Sequence, residues 1–201
     1  AQLGIELGQN AIREQAEKFG FGKTVEIPLR STASVYPKNM DDAQTAMSAF
    51  GQFDVRVTPL QIAMMSAAIA NNGKIMKPNL IENVISANLS SLFAPAPQEY
   101  ASPISANTAA AVRQMMIDAV ERGVSSNARI DGVTVAGKTG TAQNGEDDPY
   151  TLWFTGFAPA ENPKVVVAVV IEDGGGRGQN GRGNTLAAPV AKKVIQAVLR
   201  K

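Results

Sequence analysis

The sequence predicts an α+β fold, in which helices come first, an antiparallel sheet follows, and a last helix covers that sheet. Helical apolar spacing dominates residues 1–132, whereas residues 133–172 hold three β-like runs in succession. The connections between these runs are too short for parallel crossovers, so the strands are expected to pair antiparallel. An apolar helical face then recurs near the C-terminus, which is typical of α+β rather than alternating βαβ domains.

Composition narrows the possible chemistry. With 201 residues and 44% apolar content, the chain can bury one good core, which suits a single domain or a large piece of one. Lys plus Arg is 19 and Asp plus Glu is 18, so the charge balance gives no reason to expect nucleic acid as a partner. Cysteine and histidine are absent, which excludes thiol catalysis, disulfides, common zinc sites and a Ser-His-Asp relay. Serine chemistry would therefore need lysine as its base.

Two helices and an irregular excursion are predicted in the first part of the chain. Residues 2–20 have mixed helical spacing and end at glycines. Residues 24–53 are turn-rich without a sustained period, so we place them on the surface or at a cleft rim. Thr58-Pro59 is a strong helix start and Asn72-Gly73 supplies the stop. The helix between them is apolar almost all round, which requires burial inside a larger domain.

The remaining elements are predicted from helix caps and from β-like runs of residues. Asn107 or Thr108 is expected to cap an amphipathic helix that ends at Gly123. Strands are predicted over 133–143, 151–158 and 164–172, and a glycine-rich loop at 174–183 leads into a helix over 186–199. That loop contains a G-x-G-x-x-G pattern, but the chain ends too soon for the returning strand and acidic residue of a dinucleotide site.

The run Lys138-Thr139-Gly140-Thr141 carries the clearest chemical pattern. A lysine would lend positive charge to an anionic substrate, and threonines two apart offer hydroxyls on one face of a strand. Gly140 lets a ligand pass close to the backbone, and the N–H of Thr141 can point at a developing oxyanion. The competing interpretation is a lysine on an ordinary edge strand, where the charge discourages aggregation.

Several ordered blocks together identify a family. They are Phe19-Gly20-Phe21-Gly22, Gly51-Gln52, Thr58 to Ala63, Ile69 to Gly73, Ala136 to Gln143, Trp153 to Pro159 and Ala187 to Val190. On these blocks the chain resembles the penicillin-binding proteins, specifically the class B D,D-transpeptidases, and looks closest to their actinobacterial penicillin-binding protein A branch. The resemblance implies a penicillin-recognising serine acyltransferase fold, in which helices cover an antiparallel sheet.

The family carries three catalytic motifs in order, Ser-x-x-Lys, Ser-x-Asn and Lys-[Ser/Thr]-Gly, and only the third is convincing here. Ser-x-Asn occurs at Ser86, Ser105 and Ser125, but all three follow the Thr58 block, whereas the family places this motif before a helix resembling 2–20. We interpret Ser105/Asn107 as a helix cap and Ser125/Asn127 as a loop, both outside the active site. The chain is thus expected to be the C-terminal half of a single transpeptidase domain, with a mainly helical part (1–132) and strands plus a last helix (133–201).

The resemblance also implies a reaction and its residues. The parent would transfer an acyl group from a D-Ala-D-Ala stem peptide, through a serine ester, to an amine on a neighbouring peptidoglycan strand. Lys138 would belong to the hydrogen-bonded cluster around the second-motif serine, and Thr141 would supply one oxyanion N–H. Substrate binding would fall to Thr139, Gly140, Thr141 and Gln143. The nucleophile lies outside this chain, so the chain alone is expected to be inactive, without cofactor or metal.

Partners and location follow in the same way. The expected partners are peptidoglycan stem peptides, β-lactam antibiotics and the N-terminal half of the same protein, on the extracytoplasmic membrane face with an N-terminal anchor outside this chain. Two alternatives stay open at this point. One is a different reaction on the same scaffold, as in a β-lactamase, D,D-carboxypeptidase or β-lactam sensor. The other is a non-catalytic binding or scaffold module.

Overall fold

A computed structural model of the protein describes residues 1–200 and has the expected α+β architecture. Its larger helices and central strands follow in chain order: α1 (Gln2–Lys18), α2 (Asp42–Ser48), α3 (Pro59–Ala70), α4 (Ala106–Glu121), β5 (Ala136–Ala142), β6 (Thr151–Ala158), β7 (Val165–Ile171) and α5 (Gly183–Leu199). Between α3 and α4 lie four very short strands: β1 (Ile75–Met76), β2 (Val84–Ile85), β3 (Ser91–Phe93) and β4 (Glu99–Ala101).

The central sheet is an antiparallel meander with the order β5-β6-β7, as the short connections predict. Within it, Lys138 pairs with Thr155 and Gly140 pairs with Trp153. β5 has a sheet partner on one side only, so its other side is an edge. This arrangement leaves the predicted motif beside open backbone groups.

α5 packs on one face of the sheet and α3 on the other, while α4 contributes Val120 to the first core and Met116 to the second. On one face Phe154 is fully buried in a core that α5 completes with small and branched residues, namely Ala187, Ala188, Ala191 and Ile195. On the other face Phe157 and Ala136 pack with Met116 of α4 and Ile69 of α3. Small alanines let α5 lie close to the sheet, and close packing is what makes this burial stabilising.

Local sequence signals explain where the helices begin. The Thr58 hydroxyl accepts from the Gln61 amide at 3.1 Å, so the predicted start of α3 is confirmed. For α4 the cap is Ser105, as the interpretation of the Ser105/Asn107 pair predicted, and not Asn107 or Thr108. Ser105 has the extended cap conformation and its hydroxyl accepts from the Thr108 amide, which displaces Asn107 and Thr108 into the first turn. α5 begins at Gly183, three residues before the predicted 186.

Two features were not expected from the sequence. The irregular excursion contains α2, which begins with a reciprocal capping box between Asp41 and Gln44. α1 is interrupted at Gly8, whose φ of 78° is outside the helical region and suits glycine. Among residues 1–200, no helix combines the length and the apolar character that a membrane crossing requires.

Candidate active site

β5 presents the motif residues on alternate faces of the sheet. Lys138 lies opposite Thr155, whose hydroxyl is 2.6 Å from the Ser66 hydroxyl of α3, so Lys138 is on the α3 face. Thr139 lies opposite Phe154, which packs on α5. Thr141 shares the face of Thr139, and Gly140 shares the face of Lys138, because side chains alternate along a strand. The motif therefore contributes to both sides of the sheet edge.

A cavity of about 500 Å³ opens beside this edge. One wall is formed by residues 138–142 of β5 and by Trp153 and Thr155 of β6. The opposite wall is formed by α3 and by the end of the irregular excursion, with Phe50, Gly51, Gln52, Val55, Arg56, Val57, Ile62 and Met65. The lining is mostly apolar, so polar groups along β5 dominate its chemistry.

The backbone of β5 directs hydrogen-bonding groups at this cavity edge. The Thr139 N–H donates to the Ser125 hydroxyl at 3.2 Å, and the Thr139 carbonyl accepts from Lys138 Nζ at 2.7 Å. The Thr141 carbonyl accepts from Gln52 Nε2 at 3.4 Å. In an antiparallel strand the N–H and C=O of one residue point to the same side. The Thr141 N–H therefore points to the open edge, the orientation that an oxyanion donor needs.

The predicted site residues are not all in the same environment. Lys138 is exposed and folds back on the Thr139 carbonyl, while Thr139, Gly140 and Thr141 are half-buried in the cavity wall. Gln143 lies just beyond the end of β5, is exposed, and donates to the Tyr150 hydroxyl at 3.4 Å. Its neighbour Asn144, which the sequence did not single out, lines the cavity instead.

Gly140 has a packing role beside the role inferred from sequence. A Cβ built at this position would lie 3.1 Å from the Cβ of Trp153, which is tighter than ordinary cross-strand contact. The missing side chain thus lets the indole of Trp153 lie against β5 and form part of the cavity wall. The sequence placed Trp153 only within the predicted strand 151–158, and its cross-strand pairing with Gly140 is what brings it to the cavity wall.

The three Ser-x-Asn pairs have structural roles. Ser105 caps α4, as interpreted, and Ser86 hydrogen-bonds within the turn of the β2–β3 hairpin. Ser125 precedes a short 3-10 turn, so the loop interpretation is correct, but the residue is fully buried and contacts the Thr139 amide. Its hydroxyl therefore touches the motif backbone without lining the cavity. This contact joins residues 14 positions apart, and no local pattern predicts it.

The glycine-rich connection between β7 and α5 also supports the site from outside. It forms two short 3-10 turns rather than a phosphate-binding loop. Gln179 Nε2 donates to the carbonyls of Glu146 and Asp148, at 2.6 and 3.2 Å. The Arg182 guanidinium lies 5.8 Å from the centre of the Tyr150 ring. These contacts hold the turn that follows β5.

Helices covering an antiparallel sheet, together with a Lys-Thr-Gly edge strand beside a cavity, are typical of proteins that bind penicillin through a serine ester. Comparison with protein families agrees, since the model described as penicillin binding protein transpeptidase domain matches residues 1–196. The chain belongs to this family, which confirms the resemblance and the fold that the motifs implied.

Relatives in this family share the whole length of the chain. Peptidoglycan D,D-transpeptidase PbpA of Mycolicibacterium smegmatis is 38% identical over 204 residues, covering 100% of this chain and 41% of the relative. The PbpA of Mycobacterium tuberculosis is 36% identical, covering 99% of this chain and 41% of the relative. A ceftriaxone acyl-enzyme structure of M. tuberculosis penicillin-binding protein A superposes with a TM-score of 0.92 at 36% identity, covering 98% of this chain and 45% of that chain. The chain thus spans less than half of the length of these relatives.

Proposed function

We propose that this chain is the C-terminal part of a peptidoglycan D,D-transpeptidase domain, with a mainly helical part over 1–132 and strands plus the last helix beyond it. The observation that carries the proposal is the edge of β5, where Lys138, two threonines and the Thr141 N–H meet one cavity. Relatives over the same length are D,D-transpeptidases by name, and a structural relative forms a β-lactam acyl-enzyme. Both facts support acyl transfer at this edge.

The proposed reaction assigns each group a task. A serine hydroxyl attacks the carbonyl between the two D-Ala residues, the C–N bond to the last D-Ala breaks, and a serine ester forms. An amine of a second stem peptide then displaces the serine and forms the cross-link. The Thr141 N–H stabilises the oxyanion in both steps, as one of two donors. The second donor would be the N–H of the serine itself, which lies outside this chain.

Charge at the edge fits the substrate. The terminal carboxylate of the stem peptide is anionic, and the hydroxyls of Thr139 and Thr141 are donors that can receive it. Lys138 supplies the positive charge, for which it must leave the Thr139 carbonyl and turn into the cavity. Gln143 is proposed as a further substrate contact, which requires its side chain to leave Tyr150.

The partners and location form part of the same proposal. The acyl donor and acceptor are peptidoglycan stem peptides, and β-lactams act as mimics of the donor. The nucleophile and lysine base belong to a segment that precedes this chain. That segment also carries a membrane anchor, which holds the domain at the extracytoplasmic face of the membrane. This chain by itself is expected to remain unlabelled by penicillin, because it supplies no serine paired with a base.

The test uses the full-length protein that we propose contains this chain. Replacing Lys138 by alanine should lower the second-order rate of acylation by fluorescent penicillin about 10²- to 10³-fold, the usual range for one electrostatic group. The melting temperature should stay constant, because Lys138 is exposed. Lys164→Ala is the matched control, because Lys164 is also an exposed lysine but does not line the cavity.

An unchanged acylation rate in Lys138→Ala would contradict the assignment of the site. The reaction type is tested separately, with a synthetic stem peptide and an amine acceptor. Cross-linked dimer supports transpeptidation, whereas free D-Ala alone points to a carboxypeptidase. Rapid release of hydrolysed β-lactam would identify a β-lactamase. Absence of any acylation in the unaltered full-length protein would favour a non-catalytic module.

A further inference from the structure

Gln52 reaches the ligand edge of β5 from the opposite wall of the cavity. Its segment is fixed on both sides by backbone hydrogen bonds. Before it, the Gly51 N–H donates to the Ser48 carbonyl at 3.0 Å. After it, Val35 and Arg56 exchange two hydrogen bonds, at 2.7 and 3.0 Å. The main chain is therefore held in place, and only the side chain of Gln52 crosses to β5.

The backbone around Gln52 is strained. Gly51, Phe53 and Asp54 have φ angles of 83°, 51° and 48°. The left-handed region costs a residue such as Phe53 roughly 1–2 kcal/mol, whereas aspartate adopts it more readily. Strained residues persist where the surroundings hold them and are concentrated at ligand-binding sites. Here the strain accompanies a bend that aims Gln52 at the Thr141 carbonyl.

The hydrogen bonds along the β5 edge differ in how easily a ligand could replace them. Ser125 is fully buried, so its bond to the Thr139 N–H is lost only if the loop unpacks. Gln52 is half-buried and lines the cavity, and its 3.4 Å bond to the Thr141 carbonyl is long. The Thr141 carbonyl is therefore the edge acceptor that a ligand can take over at low cost.

We propose that Gln52 is a place-holder on this edge, whose side-chain amide occupies the Thr141 carbonyl until an N–H of an extended ligand replaces it. The proposal rests on the proposed function, because it needs a ligand that adds to β5 as an extra strand. Such a ligand meets the Thr141 N–H and C=O together, since both point to the open edge. A ligand with an N–H opposite the Thr141 carbonyl replaces the hydrogen bond that Gln52 donates. A ligand without a donor there leaves Gln52 in place. Gln52 thus acts on ligand choice rather than on the acyl transfer itself.

Penicillin G and unsubstituted penicillanic acid separate these cases in the full-length protein. Penicillin G carries an amide N–H beside its lactam ring, whereas penicillanic acid has only hydrogen there and offers no donor. Gln52→Ala should raise the second-order acylation rate with penicillin G about two- to fivefold, the size of one weak net hydrogen bond. The rate with penicillanic acid should stay the same. Gln52→Met removes the amide but keeps the length, so it should behave like Gln52→Ala.

Gln114→Ala serves as the control, because Gln114 is exposed on α4 and lines a different cavity. A slower reaction of either Gln52 variant with penicillin G, or an equal change with both compounds, would overturn the place-holder role. A Gln52→Met variant that matches the unaltered protein while Gln52→Ala is faster would show that bulk, not the amide, matters, which also overturns it. Loss of labelling in the unaltered protein would instead count against the proposed function.

Discussion

Two regions of the chain, the one that forms the sheet wall of the cavity and the one that leads into the opposite wall, are stabilised in different ways. The sheet layer, which we define as β5, β6, β7 and α5, holds fully buried Leu152, Phe154 and Phe157. The N-terminal layer, defined as α1 and α2, buries much less. In α1 only Gly4 is buried, while Leu3, Ile5 and Leu7 are 66%, 47% and 55% exposed. The sheet layer therefore has its own apolar core, and the N-terminal layer has mainly the contact between its two helices.

This difference matches the division of tasks that we propose. The sheet layer fixes Lys138, Thr139 and Thr141, whose positions must be accurate for charge stabilisation. The segment that directly follows α2 contributes Phe50 and Gln52, which line the cavity opposite β5. Regions with few buried apolar contacts open at lower free energy and can adapt to ligands. A well-packed sheet layer for chemistry and a looser N-terminal layer that leads into the contact residues can thus coexist in one chain.

The largest expected effect is on the core of the sheet layer. Phe154→Ala should lower the free energy of unfolding of the full-length protein by about 3–5 kcal/mol, because the ring is fully buried and its loss leaves a cavity. Leu7→Ala tests the other region. We expect the preceding half of the domain to cover the exposed apolar residues of α1, and in that case this change should cost about 2 kcal/mol in chemical denaturation of the full-length protein.

A cost below about 0.5 kcal/mol for Leu7→Ala would show that this face of α1 stays in solvent, as expected of exposed positions. That result would contradict the expectation that further parts of the domain cover the N-terminal layer. A small loss of stability in Phe154→Ala would contradict the statement that the sheet layer has an apolar core of its own.

Local signals in the sequence predicted most of the sheet layer. The short connections and the aromatic-rich run over 151–158 were enough to obtain β6 as observed, and Thr58-Pro59 predicted the start of α3. α2 was missed although it begins with a capping box at Asp41, because its seven residues are too few to show a helical apolar period. The strands β1 and β2 have two residues each, too few for any periodicity.

Long-range contacts account for what the sequence could not predict at the site. Gln52 meets Thr141 across 89 positions, and Ser66 meets Thr155 across 89 as well. These pairings depend on how helices and strands pack, so no spacing rule reveals them. The motif itself is local and was found, whereas Gln52, Trp153 and Asn144 became part of the site only through the fold.

A medium effect is expected at Gly140, where the sheet layer meets the cavity. Gly140→Val should destabilise the full-length protein by about 1–3 kcal/mol, because the new Cβ is too close to Trp153 and its methyl groups add to the overlap. Gly140→Ala should cost less than valine does. The second-order rate with fluorescent penicillin should fall in both variants, since the moved indole narrows the cavity.

Valine has the higher β propensity, so an ordinary edge strand would accept it with neutral or slightly favourable stability. That outcome, with normal acylation, would contradict both the packing role of Gly140 and its place beside the ligand. Reduced stability with normal acylation would support the packing role of Gly140 and contradict its place beside the ligand. The variants at Gly140 thus separate what the sheet layer needs for folding from what the cavity needs for binding.

The smallest effect is expected at the two-stranded sheet in which β1 pairs with β4. Surface charges help to stabilise this sheet. The Ser102 hydroxyl donates to Glu99 at 2.7 Å, and Lys74 Nζ lies 2.9 Å from its other oxygen. The hydrogen bond from Ser102, followed by the contacts with Lys74, lowers the pKa of Glu99 below its ordinary value. A lowered pKa in the folded state favours the ionised carboxylate, so its contribution exists above the unfolded pKa and is lost as the pH falls through the folded pKa.

Ser102→Ala removes the largest single cause and should flatten the loss of stability roughly between pH 5 and pH 2, measured by urea denaturation. The difference from the unaltered protein should be small at pH 7, because Glu99 is exposed and solvent screens its charge. It should shrink further at pH 2, where the carboxyl group is protonated in both proteins. An equal difference at both pH values would show that Ser102 acts through packing, and that even this exposed sheet is held by contacts of the kind found in the sheet layer.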